Sequence, residues 1–201
     1  MINFINNNNL DPYKRLRNEY AKAFSSGELS VEAINIASYD RFKEEVNSRY
    51  VNLKFIDDKE FIFFSNYRSP KSHEFKMHDQ ISATFYWSST NVQIRMKAII
   101  RKTPKLFNKK YFELRESKKN ALAISSMQSQ KIDSYNDVTA NYQNTLKNQD
   151  LSKLPSYWGG YSFVPYYFEF WEGHSSRINK REVFELINNS DNDWLNYFLQ
   201  P

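Results

Sequence analysis

The sequence predicts a mainly antiparallel β-barrel with helices on its outside, an α+β chain folded as one domain. Three observations lead there. Tyrosine (14) and phenylalanine (16) are abundant, and aromatic side chains favour strands. Short runs of alternating apolar and polar residues follow one another at hairpin spacing, divided by turn residues. Helical periodicity is confined to a few segments between those runs. At 201 residues a single domain is the natural unit, and 40% hydrophobic content can fill a substantial core.

Met1 to Leu10 is rich in asparagine and reads as a disordered tail, with the domain spanning 11–201. The tail is not the apolar run of a signal peptide, and no stretch is long enough to cross a membrane. Asp11-Pro12 reads as an N-cap with proline at the first helical position. Tyr13, Leu16, Tyr20 and Phe24 recur at helical spacing up to Gly27. Glu32 to Tyr39 has strand character. Arg49 to Ile56 alternates and predicts a second strand. Lys59 to Asn66 predicts a third, with Asp57-Asp58 as the turn. Ser69-Pro70 predicts a capped helix to about Asp79. Ile81 to Trp87 and Asn91 to Thr103 form a hairpin around Ser88-Ser89-Thr90. Leu106 to Ile124 is helical in pattern, and Asp137 to Asn148 is a more polar helix. Lys153 to Ser156 links into three last strands: Tyr161 to Trp171, Glu182 to Ile187 and Trp194 to Leu199.

A formal charge of +5 suits phosphate-bearing ligands. No Lys or Arg run of the kind that binds nucleic acid is present. The chain has no cysteine, which excludes disulfides, thiol nucleophiles and thiolate metal sites. His73, His78 and His174 have no metal-ligand spacing, so no metal is expected. Glu44-Glu45 and Asp57-Asp58 read as solvated turns. A cytoplasmic location follows by default.

Several segments could carry chemistry, each with a plainer reading beside it. The helix start at Ser69-Pro70-Lys71 offers unpaired N–H groups and an ammonium to an anion; a capped surface helix fits the same residues. Tyr111, Arg115 and Lys119 at i, i+4, i+8 share one helical stripe, which is either a phosphate site or a solvated face. Arg49 and Lys54 fall on opposite faces of a regular strand; a bulge, or a strand starting after Arg49, is needed to bring them together. Gln93, Arg95 and Lys97 share one strand face. Gly159 and Gly160 permit backbone paths that side chains forbid. Near the C-terminus, Trp171 places a flat indole beside Arg177 and Arg181, two permanent cations. That set suits a flat anionic ligand, or simply a tryptophan-rich barrel seam.

Taken in order, Arg49-Tyr-Val-Asn-Leu-Lys54, Phe64-Ser-Asn66, Val92-Gln-Ile-Arg95, Gln128-Ser129, Trp158-Gly-Gly-Tyr161, Glu169-Phe-Trp-Glu-Gly173, Arg177-Ile-Asn-Lys-Arg181 and the terminal Leu199-Gln-Pro201 resemble the pyridoxine/pyridoxamine 5′-phosphate oxidase family. These are FMN-binding split-barrel flavoproteins. The resemblance covers nearly the whole chain. It implies FMN contacts at Arg49, Lys54, Phe64, Ser65, Lys71, Gln93, Gln128, Ser129, Trp171 and Arg181. It implies a substrate phosphate held by Lys54, Tyr111, Arg115 and Lys119, with Arg177 and Asn179 as the catalytic pair over the substrate ring. It also implies a homodimer with FMN at the subunit interface, Gln128 and Ser129 reaching a cofactor bound mainly by the other subunit. The reaction implied is oxidation of a phosphorylated B6 vitamer to pyridoxal 5′-phosphate, with O2 as acceptor and H2O2 as product. Several positions depart from the family pattern, Ser65 standing for a threonine with its hydroxyl kept. Phe64 stands for tyrosine, Pro70 for a phosphate-binding arginine, Lys119 for serine and Asn179 for histidine. Asparagine can hydrogen-bond but cannot take a proton near neutral pH. Two rival readings follow: a related oxidase of another reduced aromatic, as in phenazine biosynthesis, and a flavin- or pyridoxal-phosphate-binding protein with little turnover.

Overall fold

Hairpins build the molecule, as the alternation predicts. The computed structural model describes residues 1–187 and 192–201. Its strands are β1 (Asn3–Asn7), β2 (Ala33–Asp40), β3 (Glu45–Asn52), β4 (Phe55–Asp58), β5 (Glu60–Asn66), β6 (Gln80–Trp87), β7 (Val92–Lys102), β8 (Trp158–Glu172), β9 (Lys180–Leu186) and β10 (Trp194–Leu199). The helices are α1 (Asp11–Ser25), α2 (Pro70–Met77), α3 (Lys105–Leu114), α4 (Ser117–Ser125) and α5 (Tyr135–Asn148). One sheet runs in the order β1-β4-β5-β8-β7-β6-β2-β3, with β9 and β10 continuing from β8. Every strand pairing is antiparallel except β1 with β4. The sheet curls about one aromatic core that includes Phe61, Phe63, Phe85, Phe163, Phe168 and Phe170. The predicted fold class therefore stands.

Strand β8 organises the sheet. It pairs with β7 along its length. On its other edge, Trp158 to Phe163 pair with β5, while Tyr167 to Glu172 pair with β9. Its register shifts opposite Lys97 and Ala98, where Tyr166 is the extra residue. Proline tolerates such a place because a bulge releases its missing N–H from the ladder, and Pro165 sits there, opposite Ala98.

Five expectations need correction. Residues 1–10 are not a disordered tail, since β1 lies parallel to β4, with Asn3 opposite Phe55. The asparagines supply side-chain donors: Asn6 Nδ2 to Asp57 Oδ1 at 2.9 Å and Asn8 Nδ2 to Asp58 Oδ1 at 2.7 Å. Ile2 is buried in the core, and Phe4 packs edge-on against Tyr20. In α1 the N-cap is Leu10, not Asp11, and Phe24 is half exposed while Ala23 takes its inward place.

The strand expected over Arg49 to Ile56 breaks at Leu53-Lys54. Leu53 N–H bonds Glu32 O at 2.9 Å, whereas Lys54 N–H bonds Ile62 O at 2.8 Å. The chain thereby passes from the β2 side of the sheet to the β5 side. The helix expected over Leu106 to Ile124 is two helices. Arg115 and Glu116 are extended, with ψ of 152° and 134°. Asn120 Nδ2 donates to Phe112 O at 3.0 Å, and Asn120 Oδ1 accepts from Arg115 at 3.2 Å. One side chain thus adds a second donor to the Phe112 carbonyl, which also accepts from Arg115 N–H at 3.2 Å.

Candidate functional site

Both breaks turn side chains into one cleft of about 660 Å³. It is lined by Arg49, Lys54, Phe64, Ser65, Lys71, Tyr111, Arg115, Lys119, Gln128 and Ser129, among others. Ten expected site residues therefore share one wall system. Arg49 lies within β3 and Lys54 beyond its end, so the break resolves the opposite-face problem. Tyr111, Arg115 and Lys119 converge although they do not share one helix.

The first end of the cleft is built by β3, β5 and the start of α2. Lys71 is buried, with Nζ 3.4 Å from both Ser65 Oγ and Ser69 Oγ. Burial, and then the nearby Arg49 guanidinium, hold its ammonium down to about 8, with Glu74 pulling the other way. Arg49 donates to Ile36 O at 3.2 Å, Ser38 Oγ at 2.6 Å and Glu74 Oε2 at 2.9 Å. Gln128 Oε1 accepts from Ser65 Oγ and Asn66 N–H, each at 3.4 Å. Ser129 turns the loop there with φ 68°. Two cations, a hydroxyl and a helix start facing one space suit a phosphate. Pro70 also lines the cleft; it starts the helix and brings no charge.

The second end carries Lys54, Tyr111, Arg115 and Lys119. Phe64 stacks on Tyr111 at 4.0 Å and on Trp158 at 5.1 Å between ring centroids. Arg115 lies over the Trp158 ring at 4.5 Å, a cation–π contact. Burial lowers the Arg115 pKa, and it raises that of Tyr111 against the pull of Arg115 and Lys119. Lys119 Nζ rests on Glu116 Oε1 at 2.8 Å in an exposed pair. This end offers cations around a phenol, beside an aromatic wall.

The remaining expected residues are elsewhere. Gln93, Trp171 and Arg181 form a row across β7, β8 and β9, each in register with the next. Arg181 bonds Glu169 at 2.8 Å and Gln200 O at 3.0 Å. Glu169 is buried and also meets Arg95 and Tyr167, each at 3.1 Å. Arg177 is exposed in the β8–β9 loop with φ 61°. Asn179 Oδ1 accepts from His174 N–H at 3.0 Å and closes that loop. None of these five lines the cleft of its own chain. Gln128 and Ser129, in contrast, sit on the same chain's cleft as Arg49 and Lys71, not apart from it as the resemblance implied.

Sequence reasoning missed Trp158, Glu74 and Glu116. Trp158 opens the Trp-Gly-Gly-Tyr run and could have been read as a wall residue. Glu74 lies one helical turn after Lys71 and could have been read as its neighbour. The two glycines of that run have a packing reason. A Cβ on Gly159 would meet Tyr67 Oη at 2.2 Å, and one on Gly160 would meet Thr103 Oγ1 at 2.4 Å. Asn108 of α3 donates to Tyr67 at 3.2 Å and accepts from Gly160 N–H at 2.9 Å, so the bare backbone docks the helix that carries Tyr111. Among the described residues, no group of three His, Asp or Glu could hold a metal ion.

A curled antiparallel barrel with a cation-lined cleft defines a class of split-barrel proteins suited to phosphate-bearing ligands. Residues 158–201 match the model of the pyridoxine 5′-phosphate oxidase C-terminal dimerisation region. The chain is 32% identical over 196 residues to a pyridoxine/pyridoxamine 5′-phosphate oxidase of Colwellia psychrerythraea, covering 96% of this chain and 88% of that one. Among solved structures, PhzG from Burkholderia lata in complex with tetrahydrophenazine-1-carboxylic acid matches with a TM-score of 0.87 at 25% identity, covering 95% of this chain and 93% of that one. An FMN-binding, pyridoxamine 5′-phosphate oxidase-related protein from Nostoc punctiforme shares the fold, with a TM-score of 0.76 at 12% identity, covering 96% and 99%. The chain belongs to the pyridoxine/pyridoxamine 5′-phosphate oxidase family.

Proposed function

We propose that the protein is an FMN-dependent oxidase that converts pyridoxine 5′-phosphate or pyridoxamine 5′-phosphate to pyridoxal 5′-phosphate. One observation carries this reading: a single cleft has two cationic ends, Arg49 with Lys71 and Arg115 with Lys119, divided by the Phe64–Tyr111–Trp158 wall. Two phosphorylated aromatic molecules side by side need such an arrangement. The fit to FMN rests on Lys71, a buried ammonium whose polar contacts are two hydroxyls at 3.4 Å.

When bound, FMN supplies the two-electron redox chemistry. Arg49, Ser65, Lys71, Gln128 and Ser129 hold its phosphate end. Lys54, Tyr111, Arg115 and Lys119 hold the substrate phosphate. Oxidising the alcohol releases two electrons and two protons, which reduce O2 to H2O2; the amine route also takes up water and releases ammonia. Gln93, Trp171, Arg177, Asn179 and Arg181 come to the site from a second copy of the chain. The match of 158–201 to a dimerisation region supports that part of the reading. Arg177 and Asn179 then position the ring to be oxidised. Among the described residues no helix is long and apolar enough to cross a membrane; a cytoplasmic location is part of the proposal.

The test is peroxide release with FMN supplied and either phosphorylated vitamer as substrate. Turnover of one of them is expected. A second reading, oxidation of another reduced aromatic, is favoured by the match to PhzG with its tetrahydrophenazine ligand and by asparagine at 179. Turnover of tetrahydrophenazine-1-carboxylic acid in place of the vitamers would select it. Tight binding with turnover of neither would leave a binding protein.

A further inference from the structure

The geometry points to Glu74 as the positioning residue of the phosphate cradle: it fixes the Arg49 guanidinium and balances its charge, so that Lys71 is left as the cradle's net cation. This rests on the FMN reading above. Glu74 is buried on α2, and its carboxylate joins three elements. Oε2 takes Ser38 Oγ of β2 and Arg49 of β3, and Oε1 takes Asn47 Nδ2 of β3 at 3.3 Å. Arg49 is gripped again by Ser38 Oγ and Ile36 O, so its plane has one direction. A guanidinium so pinned presents its remaining N–H groups to the cleft without losing side-chain freedom on binding.

Charge is the second constraint on the cradle. Lys71 faces Arg49 from β3, Glu74 from its own helix, and the hydroxyls of Ser65 and Ser69; Lys54 lines the same cleft. Arg49 disfavours its protonated form, and Glu74 supports it. Taking away the Glu74 charge therefore lowers the pH at which Lys71 gives up its proton.

The experiment is FMN titration by quenching of flavin fluorescence from pH 6 to 9.5, with riboflavin as the phosphate-free control. Wild type is expected to bind FMN evenly from about pH 7, where the phosphate is doubly ionised, to about pH 8 and more weakly above it, with no such break for riboflavin. Glu74→Gln keeps hydrogen-bonding atoms and loses the charge; its break moves to lower pH. Glu74→Ala releases Arg49 and weakens FMN binding at pH 6.5 by roughly tenfold. Circular dichroism checks its fold, and if it does not fold, the Gln variant decides alone. A break in Glu74→Gln at the wild-type pH overturns the inference. Wild type that binds neither flavin overturns the FMN reading instead.

Discussion

The rings of Phe64 and Tyr111 stack with centroids 4.0 Å apart and planes 20° apart. One side chain belongs to β5, next to Ser65 of the proposed phosphate cradle, and the other to α3. The two ends of the cleft are thus tied through an aromatic cluster that also takes in Phe55, Phe107 and Trp158. Removing Phe64 should be felt at both. Phe64→Ala is expected to cost roughly 2–3 kcal/mol in urea unfolding, below the value for a fully buried ring. It should also weaken FMN and raise KM for the phosphorylated substrate; loss at only one end would show that the two ends are independent.

Arg115 lies over Trp158 and also braces the helix break through Asn120. Lysine keeps the charge but neither the flat face nor the fork of donors. Arg115→Lys is expected to raise KM for the vitamer phosphate about tenfold, with kcat within about twofold. Steady-state peroxide assays measure both. An unchanged KM would reduce Arg115 to a brace.

Asn179 closes the β8–β9 loop by accepting from His174 N–H. Asn179→Ala frees the loop that carries Arg177. Turnover should fall about tenfold, and FMN affinity should stay within about twofold, since the phosphate cradle lies elsewhere. Flavin titration and single-turnover reduction separate the two effects. A parallel loss of FMN affinity would place Asn179 at the cofactor.

Lys71 makes the flavin-free protein sensitive to alkali in a definite order. Its folded pKa of about 8 lies below the unfolded value near 10.4. Between them the folded state holds fewer protons, so stability rises with pH from about 8 toward 10. Above about 10 the sign reverses. Burial pushes Tyr161 up to about 12 and Tyr13 higher still, and the unfolded chain ionises these phenols first. Lys71→Met should remove the rise. At pH 7 it should be more stable than wild type by roughly 1–3 kcal/mol, while its FMN affinity falls at least about tenfold. Thermal unfolding across pH 7–11 checks the order, and a flat difference between the two proteins would show that Lys71 is solvated.

The hairpins were legible because period-two alternation is written locally, and β6 and β7 begin and end within a residue or two of the pattern. The site was legible where a motif keeps its members on one element, as at Ser69 to Lys71. Strand β1 was hidden because its partner is distant in sequence and its polar side chains find acceptors at Asp57 and Asp58. The break at Arg115-Glu116 was hidden because Leu114 to Ser117 contains no glycine or proline; Asn120 holds it through bonds that only the folded chain supplies. Glu74 was hidden because a helical carboxylate reads as solvated until Ser38, Asn47 and Arg49 close over it.

Trp158 and Trp171 stand near opposite ends of the 15-residue strand β8, about 40 Å apart along a fully extended chain. In the dimer proposed above, each polypeptide contributes one half to each of two different reaction centres. Co-expressing a chain inactivated at Arg49 with another inactivated at Arg181 should therefore yield mixed pairs in which one centre carries both lesions and the other carries none. Two dead alleles would complement each other, and the recovered activity would count the mixed pairs.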